Sequence, residues 1–223
     1  MTGDKLLLFV VETVSTCQSD EYYLNYFIKK SGFFDVGSWK NASIQFVYLN
    51  GKTNYKSDRI KDEIVDKWNS FPSKNKHLIF VFDYDRDTHA DKKLNHDIIS
   101  FCQSFQIPNE IIWFKKDIEN NFIGHIVKSK DKNDKASEFY CKGSLEKTKE
   151  KILSLTKQSS FKSNPESNVL SILSKYLKVT DSFSQIVEEC IRKNAEDEAR
   201  AKAKPVSKRV AALKGRNKGK KRL

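Results

Sequence analysis

Short apolar runs alternate along this chain with segments whose apolar residues recur at helical spacing. Lys5 to Val11 reads KLLLFVV and Leu78 to Phe82 reads LIFVF. Runs of this length without polar alternation predict strands buried on both faces, the pattern of parallel sheets covered by helices. Ser43 to Leu49 predicts a further strand, ended by the turn pair Asn50-Gly51, and Ile111 to Phe114 another, after Pro108 breaks the chain. Helical spacing fills the gaps. Tyr23, Leu24, Phe27 and Ile28 lie on one face of a helix over 21–30. Ile60, Ile64 and Trp68 mark a helix over 58–68, with Ser57 or Asp58 as its cap. Leu94, Ile98, Phe101 and Phe105 mark one over 91–105. This alternation predicts an α/β fold, an open and mainly parallel sheet flanked by helices, with right-handed crossovers.

Past Gly124 the pattern changes. Ser129 to Ser137 reads as a polar loop rich in Lys and Asp, and Leu145 to Leu155 as a helix. Ser159 to Asn168, with Pro165 inside it, reads as a linker, and 169–177 and 182–201 as further helices. The expected organisation is an α/β domain over 1–128, a helical region over 129–201 and a basic tail over 202–223. The helical region would cover the sheet or serve self-association into a homo-oligomer.

Composition narrows the classes. With 223 residues, 38% of them apolar and 12% aromatic, the chain can bury a core and is no disordered polymer. It holds no 18-residue apolar stretch, so no membrane span or membrane partner is expected. Its first residues lack the basic, apolar and small-residue order of a signal peptide. Cys17, Cys102, Cys141 and Cys190 are scattered with no CxxC pair, which points to a reducing, cytoplasmic location. His77, His89, His96 and His125 show no zinc spacing. Net charge is +12, yet residues 202–223 carry ten Lys or Arg and no acid, so the rest of the chain holds only +2. Within that tail, Lys208, Arg209, Lys214, Arg216, Lys218, Lys220, Lys221 and Arg222 are the expected nucleic-acid contacts. An arm of this kind pairs with phosphates and supplies affinity without reading sequence.

Candidate chemistry lies at the strand ends. The run 78–82 leads straight into Asp83, Asp85 and Asp87, and the run 5–11 leads into Glu12. Alternate spacing in extended chain sends the three aspartates to one side. The carboxyl ends of parallel strands are where open α/β sheets bind ligands. Carboxylates crowded there repel one another unless a proton or cation intervenes, and oxygen donors of this kind suit Mg²⁺ or Mn²⁺.

Glu12 after the first strand and Asp83-Tyr84-Asp85 after the acid-tipped strand resemble the Toprim family, the catalytic domain of topoisomerases, primases and several nucleases. The resemblance covers residues 5–127 and is nearest to small Toprim nucleases of bacterial defence systems, of the abortive-infection and overcoming-lysogenization-defect kind. The helix start Asp20-Glu21-Tyr22-Tyr23 and the later segment Asp117-Ile118-Glu119-Asn120-Asn121-Phe122 are similar to segments of those proteins. Thr13 stands where the family usually has Gly. The resemblance implies Mg²⁺-dependent hydrolysis of phosphodiester bonds in DNA or RNA. Glu12, Asp83 and Asp85 would be catalytic metal ligands, Asp87 would bind a second metal directly or through water, Glu119 would complete that second site or act as a base, and a restraining partner such as an ATPase is expected. Two alternatives stay open. Thr13 favours a degenerate Toprim that only binds or senses nucleic acid. An apolar strand followed by Asp-Tyr-Asp also resembles the haloacid-dehalogenase phosphatases, although that reading leaves Glu12 without a role.

Overall fold

The computed structural model describes residues 4–84, 88–115, 117–123, 127–142 and 167–185, with positions 188, 192 and 196 beyond them. Four strands, β1 (Lys5–Val11), β2 (Ala42–Tyr48), β3 (Lys76–Tyr84) and β4 (Asn109–Lys115), form one parallel sheet in the order β2-β1-β3-β4. All four fall where the apolar runs placed them.

The runs are unbroken because both faces of the sheet are covered, with successive side chains alternating between two cores. Leu7, Phe9, Val11, Ile79, Val81, Ile112 and Phe114 enter one core. Helix α1 (Ser19–Lys29) meets them there, with α5 (Ile118–Ile123) and α7 (Val169–Leu173). Leu6, Leu8, Val10, Phe80, Phe82 and Trp113 enter the other core, against α3 (Asp58–Ser70) and α4 (His89–Ser104). A short helix, α2 (Val36–Lys40), precedes β2 and is capped by the Asp35 side chain, which accepts from Gly37 N–H at 2.8 Å. Thr88 caps α4 through Asp91 N–H. Ser57 occupies the N-cap position of α3 but makes no side-chain cap hydrogen bond.

Ser129 to Ser137, expected as loop, belongs instead to a 3₁₀ turn (Ser129–Asp131) and helix α6 (Lys132–Lys142). Its composition is that of a loop, but Ala136, Phe139 and Tyr140 share one face. Phe139 sits against Tyr23, Tyr26 and Phe122, and Tyr140 against Tyr22. Tertiary aromatic contact therefore stabilises a helix whose own sequence is mostly polar. Two C-terminal pieces close the sheet side. Asn168 presents its amide to the exposed edge of β4, accepting from Trp113 N–H at 2.8 Å and donating to Ile111 C=O at 2.9 Å. Phe34 and Val179 form an antiparallel bridge. Val169, Leu170, Ile172, Leu173 and Leu177 lie in the same core as α1. The helix expected over 145–155 and the basic tail lie outside the described residues, as do Cys190 and His125. No described helix is long and apolar enough to cross a membrane.

Candidate functional site

In the strand order β2-β1-β3-β4, the chain leaves β1 toward one edge and returns to the other side of β1 as β3. The gap between the carboxyl ends of β1 and β3 is thus the topological switch point, the usual ligand crevice of open parallel sheets. Glu12 and Asp83 stand on its two rims. Val11 pairs in register with Val81, which brings the residues that follow them side by side. The Asp83 backbone N–H donates to Glu12 Oε1 at 2.6 Å.

The next loop holds this junction. Beyond β2, Leu49 N–H donates to Val11 C=O, Asn50 N–H to Thr13 C=O and Gly51 N–H to Glu12 C=O. Asn50 at φ 58° and Gly51 at φ 112° make the reversal that aims these amides, and residues tolerant of positive φ are needed there. Lys52, 8% exposed, then crosses over the Trp113 ring and donates to Asp83 C=O. One turn therefore grips both acid-bearing strand ends.

Alternation decides which way Asp83 faces. Ile79 and Val81 enter the core shared with α1 and α5, and Asp83 follows at the same parity. Two further acids reach it from those helices. Asp20, in the first turn of α1, is 6% exposed, and Glu119, in the first turn of α5, is fully buried. Asp117 sets the start of α5, its Oδ1 accepting from Asn120 N–H at 2.6 Å. Burial raises the Asp83 carboxyl well above the ordinary range, and Glu12, Asp20 and Glu119 raise it further. Burial and then Glu119 push Asp20 up to about 6, against an opposing pull from Lys132.

Lys132, the first residue of α6, brings positive charge to the cluster. Its Nζ lies 3.0 Å from Glu119 Oε1. Burial pulls its pKa down, but Glu119, Asp83 and Asp20 carry it above the ordinary lysine value. Apart from this ion pair, neither carboxylate oxygen of Glu119 has a hydrogen-bond partner among the described residues. The Tyr23 hydroxyl is also buried without a hydrogen bond among the described residues. Burial, Glu119 and Asp20 all raise its pKa, so it faces the same cluster.

Of the acids expected from the sequence, the fold brings together Glu12, Asp83 and Glu119. Asp85 and Asp87 lie outside the described residues, as do the basic-arm residues Lys208 to Arg222. Among the described residues no group of three or more His, Cys, Asp or Glu is placed so that it could hold a metal ion. The sequence reading did not single out Asp20 or Lys132 as site residues. Asp20 has the local look of an ordinary acid in a helix's first turn, favourable to the helix dipole. Lys132 lay in a segment taken for loop. His89 is exposed at the start of α4. Cys102 is a core thiol whose pKa burial pushes up to about 12. No family model, no curated protein and no solved structure matches this chain.

Proposed function

We propose that this protein is a metal-dependent nuclease of Toprim type, hydrolysing phosphodiester bonds of DNA or RNA, and that it acts in the cytoplasm as a toxic effector of bacterial anti-phage defence. The observation that carries the reading is the Glu12–Asp83 contact at the switch point, with Glu119 arriving on the same side. A dehalogenase-like phosphatase gives Glu12 no such place.

The donor set fits a hard divalent cation. Among the described residues four carboxylates face one lysine, two of them hold their protons above the ordinary range, and Glu119 has no partner beyond its Lys132 ion pair. Crowded acids of this kind need a proton or a cation. Glu12, Asp83 and Glu119 would hold Mg²⁺ or Mn²⁺, together with Asp85 and Asp87. When bound, the metal would neutralise charge on the phosphoryl group and activate water. The chain's own part is to fix the acids: Gly51 and Lys52 hold the two strand ends. The basic arm would add affinity for the nucleic-acid backbone without specificity. A nuclease of this size needs restraint, which a partner such as an ATPase would supply.

A second reading, a binding module without catalysis, draws on the Lys132–Glu119 ion pair, which already neutralises one acid. One experiment separates the two. Purified full-length protein, alone and with its genomic neighbours, is incubated with DNA and RNA in Mg²⁺, Mn²⁺ or EDTA, beside Asp83→Ala and Glu12→Ala. Metal-dependent cleavage that both substitutions abolish is expected. Nucleic-acid binding without cleavage under every condition would establish the binding module instead.

A further inference from the structure

We infer that Lys132 is a resident counter-cation of the acidic site, and that a divalent metal ion binds there by displacing its ammonium from Glu119. The inference rests on the metal-site reading above and specifies how that site is kept closed.

Three observations carry it. Glu119 cannot leave: it is fully buried, in a helix held by the buried side chains of Ile118 and Phe122. Lys132 can leave: it is 26% exposed along its side chain and sits at the first position of α6, on a flexible four-carbon stem. Its helix is anchored elsewhere, through Ala136 and through Phe139 among Tyr23, Tyr26 and Phe122, and beside it Asn133 accepts from Gln18 N–H at 3.1 Å. Swinging the ammonium into water therefore need not unfold α6.

The third observation is that Lys132 satisfies the site incompletely. Among the described residues, the Glu119 carboxylate has no partner beyond the Lys132 ion pair, and the Tyr23 hydroxyl has no hydrogen bond. Buried polar atoms left this way are costly and normally find a partner. A hydrated Mg²⁺ or Mn²⁺ supplies charge to the carboxylates and water protons to the remaining acceptors, which a single ammonium at 3.0 Å from one oxygen does not. Two cations on the same carboxylate would repel each other, so occupation by one disfavours the other.

The test uses full-length protein and Mn²⁺ as the probe, with binding followed by loss of the free-ion paramagnetic resonance signal. Lys132→Met should bind Mn²⁺ about tenfold or more tightly than wild type, because a competing positive charge is gone. Lys132→Arg, which keeps the charge, should bind no more tightly than wild type. In wild-type protein, which removes any question of misfolding, Mn²⁺ should raise the acylation rate of the Lys132 amine, read by mass spectrometry. Wild type that binds Mn²⁺ while Lys132→Met binds it equally or more weakly, or a Lys132 amine no more reactive with Mn²⁺ present, overturns the inference and leaves the metal site standing. No Mn²⁺ binding by wild type or Lys132→Met overturns both.

Discussion

Asp20 and Asp83 are acids that the fold holds where charge is unwelcome, and the cost is readable as a pH dependence. The folded chain retains the Asp20 proton up to about pH 6, whereas its ordinary value is 3.8. Between those values the folded state binds more protons than the unfolded state, so this group makes stability fall as pH rises. In EDTA, the contribution is fully lost above about pH 6 and amounts to at most about 3 kcal/mol. Urea melts of wild type and Asp20→Asn at pH 4.5 and pH 7 isolate it. Wild type should lose more stability than the variant over that interval, and Mg²⁺ should recover the loss at pH 7. Parallel pH dependence of the two proteins would show that Asp20 carries no such strain. Asp83 adds to the same trend, since its proton is also held above the ordinary range.

At the scale of elements, the informative contact is the one that closes the edge of β4. Asn168 mimics a neighbouring strand with one side chain, pairing with the N–H of Trp113 and the C=O of Ile111. An open edge is a template for unwanted pairing, and this amide covers part of it while α7 covers the face behind. Asn168→Ala should cost about 1–3 kcal/mol, because two partly buried backbone groups would go unpaired. Hydrogen exchange at the Trp113 amide should accelerate well beyond the global change. Unaltered protection at Trp113 would mean that another group covers the edge. Helix α6 shows the same dependence on context. Its Lys- and Asp-rich sequence reads as loop, and the aromatic face of α1 makes it a helix.

For the whole molecule, charge is divided between an acidic crevice and a basic tail. Ten of the chain's lysines and arginines lie in residues 202–223. Deleting that segment should weaken binding to DNA and RNA of all sequences alike. The slope of log affinity against log salt should flatten by roughly 0.7–0.9 for each phosphate that the truncated protein no longer neutralises. Mn²⁺ binding should be unchanged, since the segment carries no acid. Unchanged nucleic-acid affinity and salt slope in the truncated protein would assign the tail to another partner or to solubility.

The apolar runs alone determined the four strands, because burial on both faces leaves no room for polar alternation, and they placed Glu12 and Asp83 at strand ends. The main helices between them were legible for the same reason, through the period of their buried faces. What the chain order could not contain was the neighbour of each strand. That β1 lies beside β3, and so Glu12 beside Asp83, follows from the crossover that carries β3 past β1. The same holds for the cluster behind them. Asp20 and Glu119 are 99 residues apart and each looks locally like an ordinary first-turn acid. Only the packing of α1 and α5 on one face of the sheet turns both toward Asp83, and only the docking of α6 sets Lys132 against Glu119. Local pattern records whether a residue is buried; which charges it is buried with is decided by contacts distant in sequence.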